Sequence, residues 1–156
     1  MNNNSITPTE TSARRPAFDS ARSGPPLLVL VADNDAACAQ VARSMLEEMG
    51  LRVSLACGGL EALGNLRAER FDAVICNLEM PGLNGFEVAH QVRLHHDGIA
   101  LILMSGLADE ETAKLAVIWG GADAFLPKPF TCEQLGAALR LALTQERAAS
   151  HACSDG

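Results

Sequence analysis

The sequence predicts a doubly wound α/β fold: a five-stranded parallel sheet of order 2-1-3-4-5 with helices on both faces. Three observations predict it. Between residues 26 and 147, apolar runs of strand length alternate with helix-period segments. The connections between them are short, so each strand–helix–strand unit is a right-handed crossover. Finally, the first, third and fourth runs are apolar at consecutive positions, as strands buried on both faces are. The second run alternates and belongs at an edge.

Each element follows from local chemistry. Residues 1–25 are rich in Asn, Ser, Thr, Pro and Arg, with Ile6 and Phe18 the only large apolar side chains. They bury too little to offset ordering and read as a disordered arm. Strand one is Leu27 to Ala32. Asp35 is placed to cap helix one, whose apolar positions Cys38, Val41, Met45, Leu46 and Met49 recur at helical spacing until Gly50 stops it. Strand two is Arg52 to Ala56. Helix two is expected from about Leu60 to Glu69 with Leu60, Leu63 and Leu66 inward. Strand three is Phe71 to Asn77. After a Met80-Pro81-Gly82 turn, helix three runs from about Gly85 to His95.

Strand four, Ile99 to Met104, ends at Ser105-Gly106. Helix four is expected from Asp109 to Trp119 with Leu115 and Ile118 inward, and strand five from Asp123 to Leu126. Lys128-Pro129 reads as a cis peptide after it. Thr131 caps helix five, expected to reach about Arg147, and 148–156 read as a frayed tail. The ordered domain is therefore 26–147.

Composition excludes several functions. The net charge is −7, and residues 1–26 carry three Arg against two acidic residues. An acidic body without a basic stripe argues against nucleic acid. No run approaches the ~20 apolar residues of a membrane span, and no signal-peptide core is present, so a cytoplasmic protein is expected. The five Cys are scattered without metal spacing and read as small hydrophobes. His90, His95 and His96 lie on or just after a helix, without a partner at fixed spacing, and read as a solvated face.

In a doubly wound sheet the site lies beyond the carboxyl ends of the strands, at the switch in strand order. Those ends supply Asp33 and Asn34, Asn77, Ser105 and Lys128. With the acidic turn 33–35, the M-P-G-L-N-G run at 80–85, the G-A-D-A-F run at 121–125 and Lys128-Pro129-Phe130, the chain resembles the receiver domain of two-component response regulators, of the chemotaxis type. The resemblance covers about 27–147 and implies a flavodoxin-like three-layer sandwich.

It also implies a chemistry: a histidine kinase passes a phosphoryl group to an aspartate, with Mg²⁺ held by acidic residues and a backbone carbonyl. Carried over, Asp33 is the first acidic position, Ser105 and Lys128 hold phosphoryl oxygens, and Phe125 is the switch aromatic. Asn77 stands at the phosphoacceptor position and Asn34 at the second carboxylate. An uncharged amide with delocalised lone pairs is a poor nucleophile. With Asp33 as the only remnant, the metal site is expected to be weak or absent, and Asp33 to pair directly with Lys128.

Two readings follow. One is a pseudo-receiver that signals through protein contact without phosphorylation. The other is a Mg²⁺-dependent phosphoreceiver seen in a blocked, Asp-to-Asn form, natural or engineered; Asn34, a second departure, favours natural degeneracy. Neither is an enzyme. Glu79 is expected to shield the pocket mouth or present its backbone carbonyl. Trp119, Phe125 and Phe130 mark a partner surface on helix four, strand five and helix five, for a kinase, another regulator or a second copy. An outward Trp119 anchor and simple packing on the sheet edge are both open. With few residues after helix five, a stand-alone domain is expected. Flavin binding is disfavoured because Asp33-Asn34-Asp35 would repel a phosphate.

Overall fold

Strand-length apolar runs can be buried on two faces only between layers of helices, and the chain adopts that solution. A computed structural model describes residues 24–107 and 109–153, with side chains through residue 145. The expected arm, up to residue 23, lies outside the described residues. The strands are β1 (Leu28–Ala32), β2 (Arg52–Ala56), β3 (Ala73–Asn77), β4 (Ala100–Ser105) and β5 (Ala124–Pro127). The helices are α1 (Ala36–Glu48), α2 (Gly59–Ala68), α3 (Gly85–His95), α4 (Glu110–Ile118) and α5 (Cys132–Cys153). The sheet is parallel throughout, in the order β2-β1-β3-β4-β5.

Alternation along the strands divides the core in two. Leu28, Leu30, Val74, Cys76, Leu101 and Leu103 pack on one face with α2 and α3. Val29, Val31, Ala73, Ile75, Ile102 and Met104 pack on the other with α1 and α5. Burying each large aliphatic side chain contributes about 1.5–3 kcal/mol. β1, β3 and β4 are buried along their whole length, whereas β2 is exposed or half-buried except at Ala56.

The helix starts follow their caps. Asp35 Oδ1 accepts from the N–H groups of Ala37 and Cys38. Asn84 and Glu87 exchange side-chain-to-backbone bonds at 2.9 and 3.0 Å, a capping box at α3. Asp109 caps α4 through Thr112, and Thr131 with Gln134 forms a second reciprocal pair before α5. The Lys128-Pro129 peptide is cis, as expected.

Four expectations about helices are corrected. Leu60, expected inward, is 77% exposed. Gly59, Ala62 and Leu66 face the core instead, because α2 rests on the loop after β3: a Cβ on Gly59 would lie 2.6 Å from the Leu83 carbonyl oxygen. Val41 is exposed while Ala39, Ala42 and Leu46 are buried. On α4, Leu115 and Ile118 are exposed and Ala116 is the buried residue. Finally, α5 runs to Cys153 rather than Arg147. Residues 148–153 contain neither Gly nor Pro and three good helix formers, Ala148, Ala149 and Ala152, so nothing stops it. Residues 154–156 lie outside the described residues.

Candidate functional site

Strand parity places the polar groups before any contact is considered. Asp33 continues the α1/α5-facing positions of β1, Asn77 those of β3 and Lys128 those of β5. Ser105 ends β4 on the opposite parity, with Leu101 and Leu103. Asp33, Asn77 and Ser105 are the buried polar residues at the strand ends, at 2%, 5% and 0% exposure. The sheet register and cis turn bring Lys128 to them: its N–H donates to the Ser105 carbonyl at 2.8 Å.

The expected ion pair is present. Lys128 Nζ donates to Asp33 Oδ2 at 2.6 Å, with the Asp33 side chain fully buried. Asp33 Oδ1 accepts from the Asp35 N–H at 3.0 Å and from Asn77 Nδ2 at 3.3 Å. Both carboxylate oxygens are therefore engaged.

Asn77 carries the decisive geometry. Its Nδ2 faces three oxygens: the Glu79 carbonyl at 2.8 Å, Asp33 Oδ1 at 3.3 Å and Asn34 Oδ1 at 3.4 Å. Three converging acceptors require a donor, which fixes the amide orientation: the opposite flip would set oxygen against oxygen. Its Oδ1 is buried and has no hydrogen-bond partner among the described residues. One of the three oxygens belongs to a carboxylate, and that carboxylate is already paired with Lys128. Among the described residues, no group of three His, Cys, Asp or Glu is placed to hold a metal ion.

Glu79 lies between buried Leu78 and Met80, so its side chain is turned out over the mouth of the site. There its Oε1 accepts from the Ser105 hydroxyl, which in turn accepts from the Leu107 N–H at 2.9 Å. Of the two alternatives expected for Glu79, shielding the mouth or presenting its carbonyl, the carbonyl accepts from Asn77 Nδ2. The carboxylate bond to Ser105 was not expected, and only the apolar neighbours 78 and 80 hint at it in the sequence.

Two thiols, three aromatic side chains and the histidines of α3 complete the surroundings. The Cys76 thiol is pushed up to about 12 by burial and by the Asp33 charge. Cys38 is also raised, first by burial and then by its bond to Asp35. Phe125 is half-buried against the α2/α3-side core and Phe130 against the other. Phe130 lines an apolar hollow of about 260 Å³ with Cys38, Val41 and Pro129, beside Lys128. Trp119 is 78% exposed at the end of α4, so packing on the sheet edge is not its role. Of the three histidines expected on a solvated face, His90 and His95 are exposed and His96 is half-buried.

The family model of the response regulator receiver domain matches residues 29–140. The chain belongs to that family. A receiver domain is the signalling module of a two-component response regulator, and such domains interact with histidine kinases or other proteins of the relay. This one is 37% identical over 118 residues to response regulator MprA of Mycolicibacterium vanbaalenii, covering 76% of this chain and 51% of that protein. MprA of Mycobacterium avium is 35% identical over 119 residues, with 52% of it covered. The chain thus spans about half the length of the curated relatives it matches.

Solved receiver structures superpose closely. The receiver domain of Francisella response regulator 1452 is 28% identical with a TM-score of 0.70, covering 76% of this chain and 98% of that one. Vibrio cholerae chemotaxis protein CheY4 is 29% identical, also at 0.70, with 76% and 99% covered. Among the described residues, no helix is long and apolar enough to cross a membrane.

Proposed function

We propose that this receiver domain is a pseudo-receiver, acting through protein contacts that do not depend on phosphorylation. The observation that carries this reading is Asn77. At the phosphoacceptor-equivalent position stands an amide without nucleophilic charge, and its NH₂ group fills the point on which three oxygens converge. Mg²⁺ sheds water reluctantly and favours sites with one or two free carboxylates. Here the donor set is one carboxylate held by Lys128, one amide and one carbonyl, which does not fit the ion. Without a cation, a phosphoryl donor meets Asp33, Asp35 and Glu79 against Lys128, a local charge of about −2.

Signalling then falls to shape. The proposed contact surface combines α4, β5 and α5, with Trp119, Phe125 and Phe130 as anchors. Trp119, with Ile118 and Leu115, gives α4 an exposed apolar stripe, and Trp is among the residue types enriched at contact hot spots. Its partner is another protein of a two-component pathway, a kinase, a second regulator or a second copy.

A titration with Mg²⁺ and beryllofluoride, followed through Trp119 fluorescence and thermal unfolding, tests the reading. The expected result is no saturable change up to low millimolar Mg²⁺. A saturating shift with a rise in Tm would overturn it.

A further inference from the structure

The Ser105 hydroxyl is wholly buried, yet both of its hydrogen-bonding roles are filled. It accepts from the Leu107 N–H and donates to the Glu79 carboxylate. A hydroxyl that donates to a carboxylate oxygen is held as any oxyanion would hold it, by a charge-assisted bond. Glu79 reaches it from a backbone pinned on both sides. Leu78 donates its N–H to the Met104 carbonyl at 2.8 Å, and the Glu79 carbonyl accepts from Asn77 Nδ2 at 2.8 Å. The amide at 77 therefore fixes the peptide from which the carboxylate extends.

We infer that Glu79 is an internal oxyanion for this site. Its carboxylate takes the Ser105 hydroxyl and, through it, holds the turn 105–107 in one shape without any added ligand. The inference rests on the pseudo-receiver reading, in which no external phosphoryl group competes for Ser105. It makes Glu79 a positioning residue, acting on Leu107, which is 65% exposed on the approach to α4. The turn then presents one fixed surface to a partner.

Amide exchange at Leu107 in the full chain reads this directly. In Glu79→Ala, Leu107 exchange is expected to rise about tenfold, the loss of one charge-assisted hydrogen bond. Sodium formate should restore protection where sodium chloride at equal ionic strength does not. Glu79→Gln keeps an acceptor oxygen without the charge and should lose part of the protection, less than Glu79→Ala does; full protection in Glu79→Gln would overturn the oxyanion role. Unchanged Leu107 exchange in Glu79→Ala would overturn the inference. So would a rise that formate leaves untouched, because Glu79 would then act by packing alone. A phosphoadduct on the unsubstituted chain would instead overturn the pseudo-receiver reading, with the Leu107 measurement deciding separately whether the Glu79–Ser105 bond orders the turn.

Discussion

At position 77 one side-chain atom, Nδ2, faces three oxygens. Replacing Nδ2 by a carboxylate oxygen in Asn77→Asp sets it against three oxygens at 2.8–3.4 Å. That variant should lose about 1–3 kcal/mol, the cost of a buried polar group without its partners, measured by urea unfolding. Adding Mg²⁺ should raise the Tm of Asn34→Asp/Asn77→Asp more than that of Asn77→Asp alone, and leave the unsubstituted chain unchanged, because only a ligand that binds the native state stabilises it. The neighbouring thiol offers an independent check on burial. With its thiol pushed up to about 12, Cys76 should stay unalkylated by iodoacetamide at neutral pH while exposed Cys57 reacts. Peptide mapping that finds Cys76 modified in the native protein would contradict the packing described.

Caps and inner faces govern the elements. The Asp109 carboxyl is held below its usual 3.8 by its bonds to Thr112, side chain first and backbone second. A lowered folded value means this contribution is present above the unfolded value and is lost as pH falls through the folded one. Asp109→Asn should therefore flatten the acid limb of a stability profile below about pH 4, most visibly in exchange at the start of α4.

The element order, the sheet order and the strand-end site were legible in the sequence because they rest on apolar runs and turn residues that act locally. Which helix face turns inward was less legible. Large apolar residues at 41, 60, 115 and 118 suggested inner faces, but Ala39, Ala62 and Ala116 carry them. Small residues let helices approach the sheet closely. Gly85 is a case in point: a Cβ there would sit 2.5 Å from the Asn77 carbonyl, so α3 rests directly on the end of β3. The Asp33–Lys128 pair was legible from the strand-end positions of the two residues and their opposite charges. The Glu79–Ser105 bond was not, because it depends on how the loop after β3 folds back over β4.

Across the whole molecule the strand-end site and the proposed contact surface draw on the same five-stranded sheet. Trp119→Ala removes an exposed ring and should change stability by no more than about 0.5 kcal/mol. It should nonetheless weaken capture of the partner protein by about tenfold or more, as loss of a contact hot spot does, measured by surface binding once that partner is isolated. The five-stranded receiver sheet is present, with Ser105 buried at the end of β4 but an amide, Asn77, buried at the end of β3. Intact-mass spectrometry of the unsubstituted chain after incubation with acetyl phosphate and Mg²⁺ tests that contrast most directly. The account predicts an unmodified mass. A stable adduct of one phosphoryl group would contradict it.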